Sequence, residues 1–155
     1  MMLATILLAA ISFGDTATVQ VEPLKFDLAA FKTMEMKEVI VDEDGEKVRY
    51  KGIPLRELLA DQLKGGNAMV NMRDLSDAVL LVRATDNYQT AISAAEVAMD
   101  KTGERFILAL ERDGKPLPKE QGHVMLVIPS EASRVRWVRM IVSVDLVRLP
   151  RPKAK

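Results

Sequence analysis

Six consecutive residues, Arg134-Val135-Arg136-Trp137-Val138-Arg139, alternate basic with apolar side chains over most of their length. In an extended conformation, successive side chains face opposite ways. Two or three guanidinium groups would then share one side, with Val135 and Trp137 anchoring the other. Guanidinium forks held that way suit a phosphate or another oxyanion. Without a ligand, the same pattern describes an amphipathic sheet edge with Trp137 in the core. Asp86-Asn87-Tyr88 lies between two strand-like runs, where Asp and Asn make side-chain turns. His123, the only histidine, is a candidate general base or ligand that would need an orienting partner.

Other chemistries are unsupported. The chain has no phosphate loop, dinucleotide-binding glycine turn, nucleophile-elbow serine or HExxH helix. It has no cysteine, which removes thiol chemistry, Cys-rich zinc sites and iron–sulfur ligation. The acidic run Asp42 to Glu46 lacks the twelve-residue calcium loop and reads as a charged hairpin tip.

The 22 basic and 22 acidic residues balance, giving no reason to expect nucleic acid as a partner. From Arg134 to Lys155, however, seven basic residues face one acid, Asp145. That end is therefore an anion-facing surface in waiting, or a solvated edge with a basic tail.

The elements that must position these residues follow from local pattern. Thr18–Glu22 predicts a short strand. Asp27 stands at the N-cap of a helix over 28–32. Runs at 36–41 and 46–50 flank Asp44-Gly45, a hairpin signal. Leu55, Leu58, Leu59 and Leu63 share one helix face opening after Pro54, with Gly65-Gly66 closing it. The run 78–84 predicts a strand buried on both faces, with 88–92 as its hairpin partner and Ser93 capping a helix through Met99. Strands are expected at 106–110, at 123–128 and, longest of all, at 138–149. Asp113-Gly114 turns between the first two, with a Pro-containing loop after it. Many short strands with three small helices predict a β-rich α+β domain over 15–150, with a basic tail at 151–155.

Residues 1–14 form an uncharged apolar stretch too short to span a bilayer, with small residues at Ser12 and Gly14. The expectation is a signal peptide, a periplasmic or secreted protein and no stable membrane span.

Several segments, in order and spread over most of the mature chain, resemble the molybdopterin-binding domain family of the sulfite oxidase superfamily. Phe26 to Phe31 resembles its early helix, and Tyr50-Lys51-Gly52-Ile53-Pro54-Leu55 resembles its "Y-x-G-V-P-L" turn. Ala84 to Tyr88 resembles "A-x-D-G-Y", with Asn87 for the usual Gly and Ser93 for the usual Pro further on. Leu108 to Leu117 resembles "L-A-x-x-x-D-G-x-P-L". Gly122 to Pro129 resembles "G-P-L-R-L-V-x-P", with His123 for the Pro, and Ser133 to Arg139 resembles "R-x-V-K-W-V/L-x-x-I".

The resemblance implies a compact β-rich fold and a pterin cofactor contacted by the basic residues of the last segment, here Arg134 and Arg136. It also implies a cysteine on molybdenum, which this chain lacks. Exported enzymes of this kind are expected to carry twin arginines, and the N-terminus has no arginine. The reading is a cofactor-free binding or accessory module for a small anionic ligand or a periplasmic partner protein. Arg134, Arg136, Trp137, Asp86, Tyr88 and His123 are its candidate site residues. The alternative is a molybdopterin-binding oxidoreductase component without the cysteine.

Overall fold

A computed structural model describes residues 18–64 and 72–151. The expected signal peptide, the Gly65-Gly66 stop and most of the basic tail lie outside the described residues. Two antiparallel sheets share one apolar core. The first holds β1 (Gln20–Pro23), β9 (Ile141–Arg148), β4 (Ala78–Ala84) and β5 (Gln89–Ser93), in that order.

The second sheet begins with β2 (Lys37–Glu43) and β3 (Glu46–Pro54), joined by the predicted Asp44-Gly45 turn. Asp42 Oδ1 accepts a hydrogen bond from the Gly45 amide there, so the acidic run is a hairpin tip. β3 pairs with β6 (Ile107–Arg112), which also pairs with β7 (Lys115–Pro116) and β8 (Met125–Val127). All pairings named here are antiparallel, as expected of an α+β domain rather than of a parallel sheet built by crossover helices.

Three short α-helices lie among the described residues. α1 (Leu28–Phe31) is capped by Asp27, whose Oδ1 accepts from the Ala29 amide at 2.9 Å. α2 (Leu55–Lys64) buries Leu55, Leu58 and Leu59. α3 (Ala94–Ala98) is capped by Ser93, so the residue standing where the resemblance has Pro serves as a cap.

The tight motif around Gly52 has a steric reason. β3 shifts register against β6 between Lys51 and Gly52. A Cβ at Gly52 would lie 2.0 Å from the Leu108 carbonyl oxygen, so only glycine lets the two backbones meet there.

Four expectations are corrected. β4 is not buried on both faces: Ala78, Leu80, Val82 and Ala84 are buried, while Val79, Leu81 and Arg83 alternate with them on the half-buried face, where Arg83 pairs with Asp145 of β9. The strand expected at 123–128 shrinks to three residues. The segment at 115–118, expected as loop, contains β7. The last strand starts at Ile141 rather than Val138, because Met140 adopts φ of 50° and breaks the extended run, so the nine-residue β3 is longer. Val138 still touches the second sheet through a bridge to Leu126. No helix among the described residues is long and apolar enough to cross a membrane.

Candidate functional site

The turn joining β4 to β5 presents Asp86 and Tyr88. Asp86 Oδ1 accepts from the Tyr88 amide at 3.0 Å, the side-chain turn expected from the sequence. Asn87 takes φ of 67°, a conformation Asn tolerates better than most side chains, so it preserves the backbone shape of the usual glycine. The Tyr88 hydroxyl donates to the Val135 carbonyl, tying this turn to the basic segment.

That segment is not extended. Arg134–Arg136 forms a 3-10 turn, closed by the Trp137 amide donating to the Arg134 carbonyl at 3.0 Å. Val135 is 68% exposed and anchors nothing, while Trp137 is buried. The expected two-faced ribbon is therefore absent, and its arginines diverge to separate carboxylates. Arg136 Nε donates to Glu131 at 2.6 Å, and Arg134 lies 3.9 Å from Glu43 and 3.8 Å from Asp44. Buried Trp137 satisfies its indole N–H on the Ile128 carbonyl at 3.2 Å. Its ring lies beneath the Arg134 guanidinium, 5.6 Å from centroid to carbon.

Behind Trp137 sits a network that sequence reasoning did not assemble. Tyr50 is fully buried and meets Trp137 edge-on. Its hydroxyl donates to Glu43 Oε1 at 2.6 Å, and Arg112 donates to the other Glu43 oxygen at 3.2 Å. Burial first, then the hydrogen bond and negative charge of Glu43, push the Tyr50 hydroxyl up to about 12. Tyr50 therefore stays a neutral donor. Glu43 belongs to the acidic hairpin and Arg112 to β6, and no local pattern links residues so far apart in sequence.

Asp86, Tyr88, Met125, Arg134, Trp137 and Arg139 line a cleft of about 270 Å³. Four of the six predicted site residues thus come together. Arg136 does not line the cleft, being drawn to Glu131. His123 lines two other cavities, beside α1.

Arg139 is the residue missed. It is exposed and, among the described residues, has no hydrogen bond or ion pair to protein. Its sequence signal was membership of the basic segment, but sequence cannot say which arginines find carboxylates. Most of that segment's positive charge is matched from elsewhere in the chain: Arg148 by Glu22, and Arg151 by Asp74 and Asp77, besides the pairs above.

The residues do not fit a molybdenum centre of the kind the resemblance implies. The chain offers no thiolate, and no group of three or more His, Cys, Asp or Glu among the described residues is arranged to hold a metal ion. The cleft also falls below the volumes usual for drug-sized ligands, roughly 300–1,000 Å³.

The search of curated proteins finds no match to this chain. A family model does match, over residues 17–154, and it spans both sheets and every residue of the cleft. The chain belongs to the family described as the oxidoreductase molybdopterin binding domain.

Proposed function

We propose that this chain is a cofactor-free binding module that uses the family's fold to hold a small anion in the cleft between the β4–β5 turn and the 134–136 turn. The observation that carries the reading is Arg139, a guanidinium in the cleft with no partner among the described residues. Arg134 adds a second cation, partly offset by Glu43 and Asp44, and Asp86 adds one carboxylate. Such a balance favours a monoanion over a doubly charged group. An acidic side chain of a partner protein would satisfy the same chemistry.

We place the module in the periplasm or outside the cell on the N-terminal pattern alone. Fractionation with N-terminal sequencing tests that placement, and an unprocessed cytoplasmic chain overturns it.

The alternative, a molybdopterin-binding component without the cysteine, is favoured by family membership and by Arg136 and Trp137, which stand at the basic and Trp positions of the segment that the chain resembles. Metal analysis and an absorbance spectrum of protein purified from its native compartment separate the two readings. Molybdenum and pterin near stoichiometry would overturn the cofactor-free one. If both are absent, chloride, formate and phosphate are titrated against Trp137 fluorescence. Saturable binding of a monoanion that Arg139→Ala abolishes and Arg136→Ala leaves intact supports the proposal. Equal loss in both variants, or no saturable response, removes it.

A further inference from the structure

Two cavities of about 430 and 470 Å³ lie beside α1 and have Leu28, Gly122 and His123 as common lining residues. Each lobe is within the range of small-molecule sites. The first is walled by Leu110 and Leu117, the second by Phe26 and Ile141. The floor is built from fixed backbone. Gly122, at φ of 78°, lies so close to Met140 that a Cβ would approach its Cα to 2.7 Å. The Met140 amide donates to the Gln121 carbonyl at 2.9 Å, and the Thr85 amide to the Met140 carbonyl at 3.1 Å. This trough is therefore preformed, yet Leu28 and Val142 remain 37% and 50% exposed along it.

Its charges are placed unevenly. Lys32 faces the first lobe, Lys119 the second and His123 both. None of the three side chains has a hydrogen bond or ion pair among the described residues. Among the described residues that line the two lobes, the only carboxylate is Glu111, in the first lobe with Lys32. The second lobe offers an ammonium and an imidazole with no acid, and an imidazole N–H can donate in either protonation state.

We propose that this trough binds an amphipathic carboxylate, an acyl or aryl acid, independently of the cleft at Arg139. Its carboxylate lies between Lys119 and His123, and its apolar body crosses Leu28 into the first lobe. One ammonium and one imidazole match a single negative charge, and the apolar walls supply the larger contact area, so an inorganic anion alone would gain little there.

The test is titration of octanoate into isotopically labelled protein, following backbone amide resonances, with acetate and octan-1-ol as the two halves of the ligand. Octanoate is expected to shift Leu28, Gly122 and Val142 at concentrations about tenfold or more below either half, since the charge-assisted bonds and apolar contact act together. Replacing exposed Lys119 and His123 together with Ala should weaken octanoate by about tenfold, leaving octan-1-ol unchanged. Val142→Glu should abolish binding, and Arg139→Ala should leave it intact. The proposal fails if octan-1-ol binds as tightly as octanoate, if the double variant binds like the parent, if Val142→Glu binds like the parent, or if no shifts appear up to the solubility limit. Loss of octanoate binding in Arg139→Ala would assign the ligand to the cleft instead.

Discussion

The indole of Trp137 stands edge-on to the phenol ring of Tyr50, with centroids 6.0 Å apart and planes at 89°. Each ring also lies beneath a guanidinium, Arg134 over Trp137 and Arg112 over Tyr50, and both arginines reach Glu43. A buried phenol, a buried indole and one carboxylate thus fix the wall of the cleft from behind. The charged groups that shape the site are held by packing, so changes in the core should be felt in the cleft.

Trp137→Phe keeps an aromatic ring against Tyr50 but removes one of the two hydrogen bonds that the Ile128 carbonyl accepts, the other coming from the Glu131 amide, and leaves part of the indole volume empty. We expect a loss of about 1–3 kcal/mol in urea unfolding. Anion affinity in the cleft should fall as well, because the smaller Phe ring holds the Arg134 guanidinium less strongly than the indole. Phosphate or formate binding followed by calorimetry checks the second part, and unchanged affinity would separate the ring from the site.

Tyr50→Phe tests the alkaline limit of the fold. The Tyr50 hydroxyl is pushed up to about 12, above its ordinary value of 10.0, so the folded state favours the neutral phenol. That contribution is fully present below pH 10 and drains as pH rises from there toward 12. Near neutral pH the variant should be less stable by about 1 kcal/mol, having lost the bond to Glu43. Between pH 10 and 12 the parent should lose stability more steeply than the variant. Urea midpoints measured across that range decide it, and parallel curves would refute the assignment.

Gly52→Ala should be the most damaging small substitution in the second sheet. The added methyl meets the Leu108 carbonyl and the Ala109 backbone, neither of which can yield without moving β6. A loss of at least about 3 kcal/mol is expected, at or above the upper end of ordinary overpacking. Lys51→Ala, at the neighbouring exposed position, is the control and should change the melting temperature little.

Removing the free arginine should cost the fold almost nothing. Arg139→Ala is expected within about 0.5 kcal/mol of the parent. Arg136→Ala severs the contact with Glu131 and should cost up to about 1 kcal/mol, the range for a half-exposed ion pair. Thermal unfolding of the two variants side by side provides the comparison. A large loss in Arg139→Ala would mean that the residue has a structural partner.

Local elements were legible because their causes are local. Asp27 and Ser93 cap helices through bonds to amides two and three residues away, and Asp44-Gly45 closes a hairpin within its own turn. The leucine spacing in α2 and the alternation of β2 and β3 likewise need only neighbouring positions. Motif order across the chain carried the family, which the match over residues 17–154 bears out. The missing thiolate was likewise plain from composition.

What sequence alone determined, then, was most of the element types, the β-rich α+β character and the absence of a cysteine ligand. Tertiary structure decided which cations are free. Arg134, Arg136 and Arg139 are alike in type and close in sequence, but Glu43, Asp44 and Glu131 take the first two and leave the third. Tertiary structure also turned 134–136 into a 3-10 turn and carried His123 away from Asp86 and Tyr88 to the trough beside α1. Ion pairing and cavity formation depend on which distant segments are folded against one another, and a one-dimensional pattern does not hold that information.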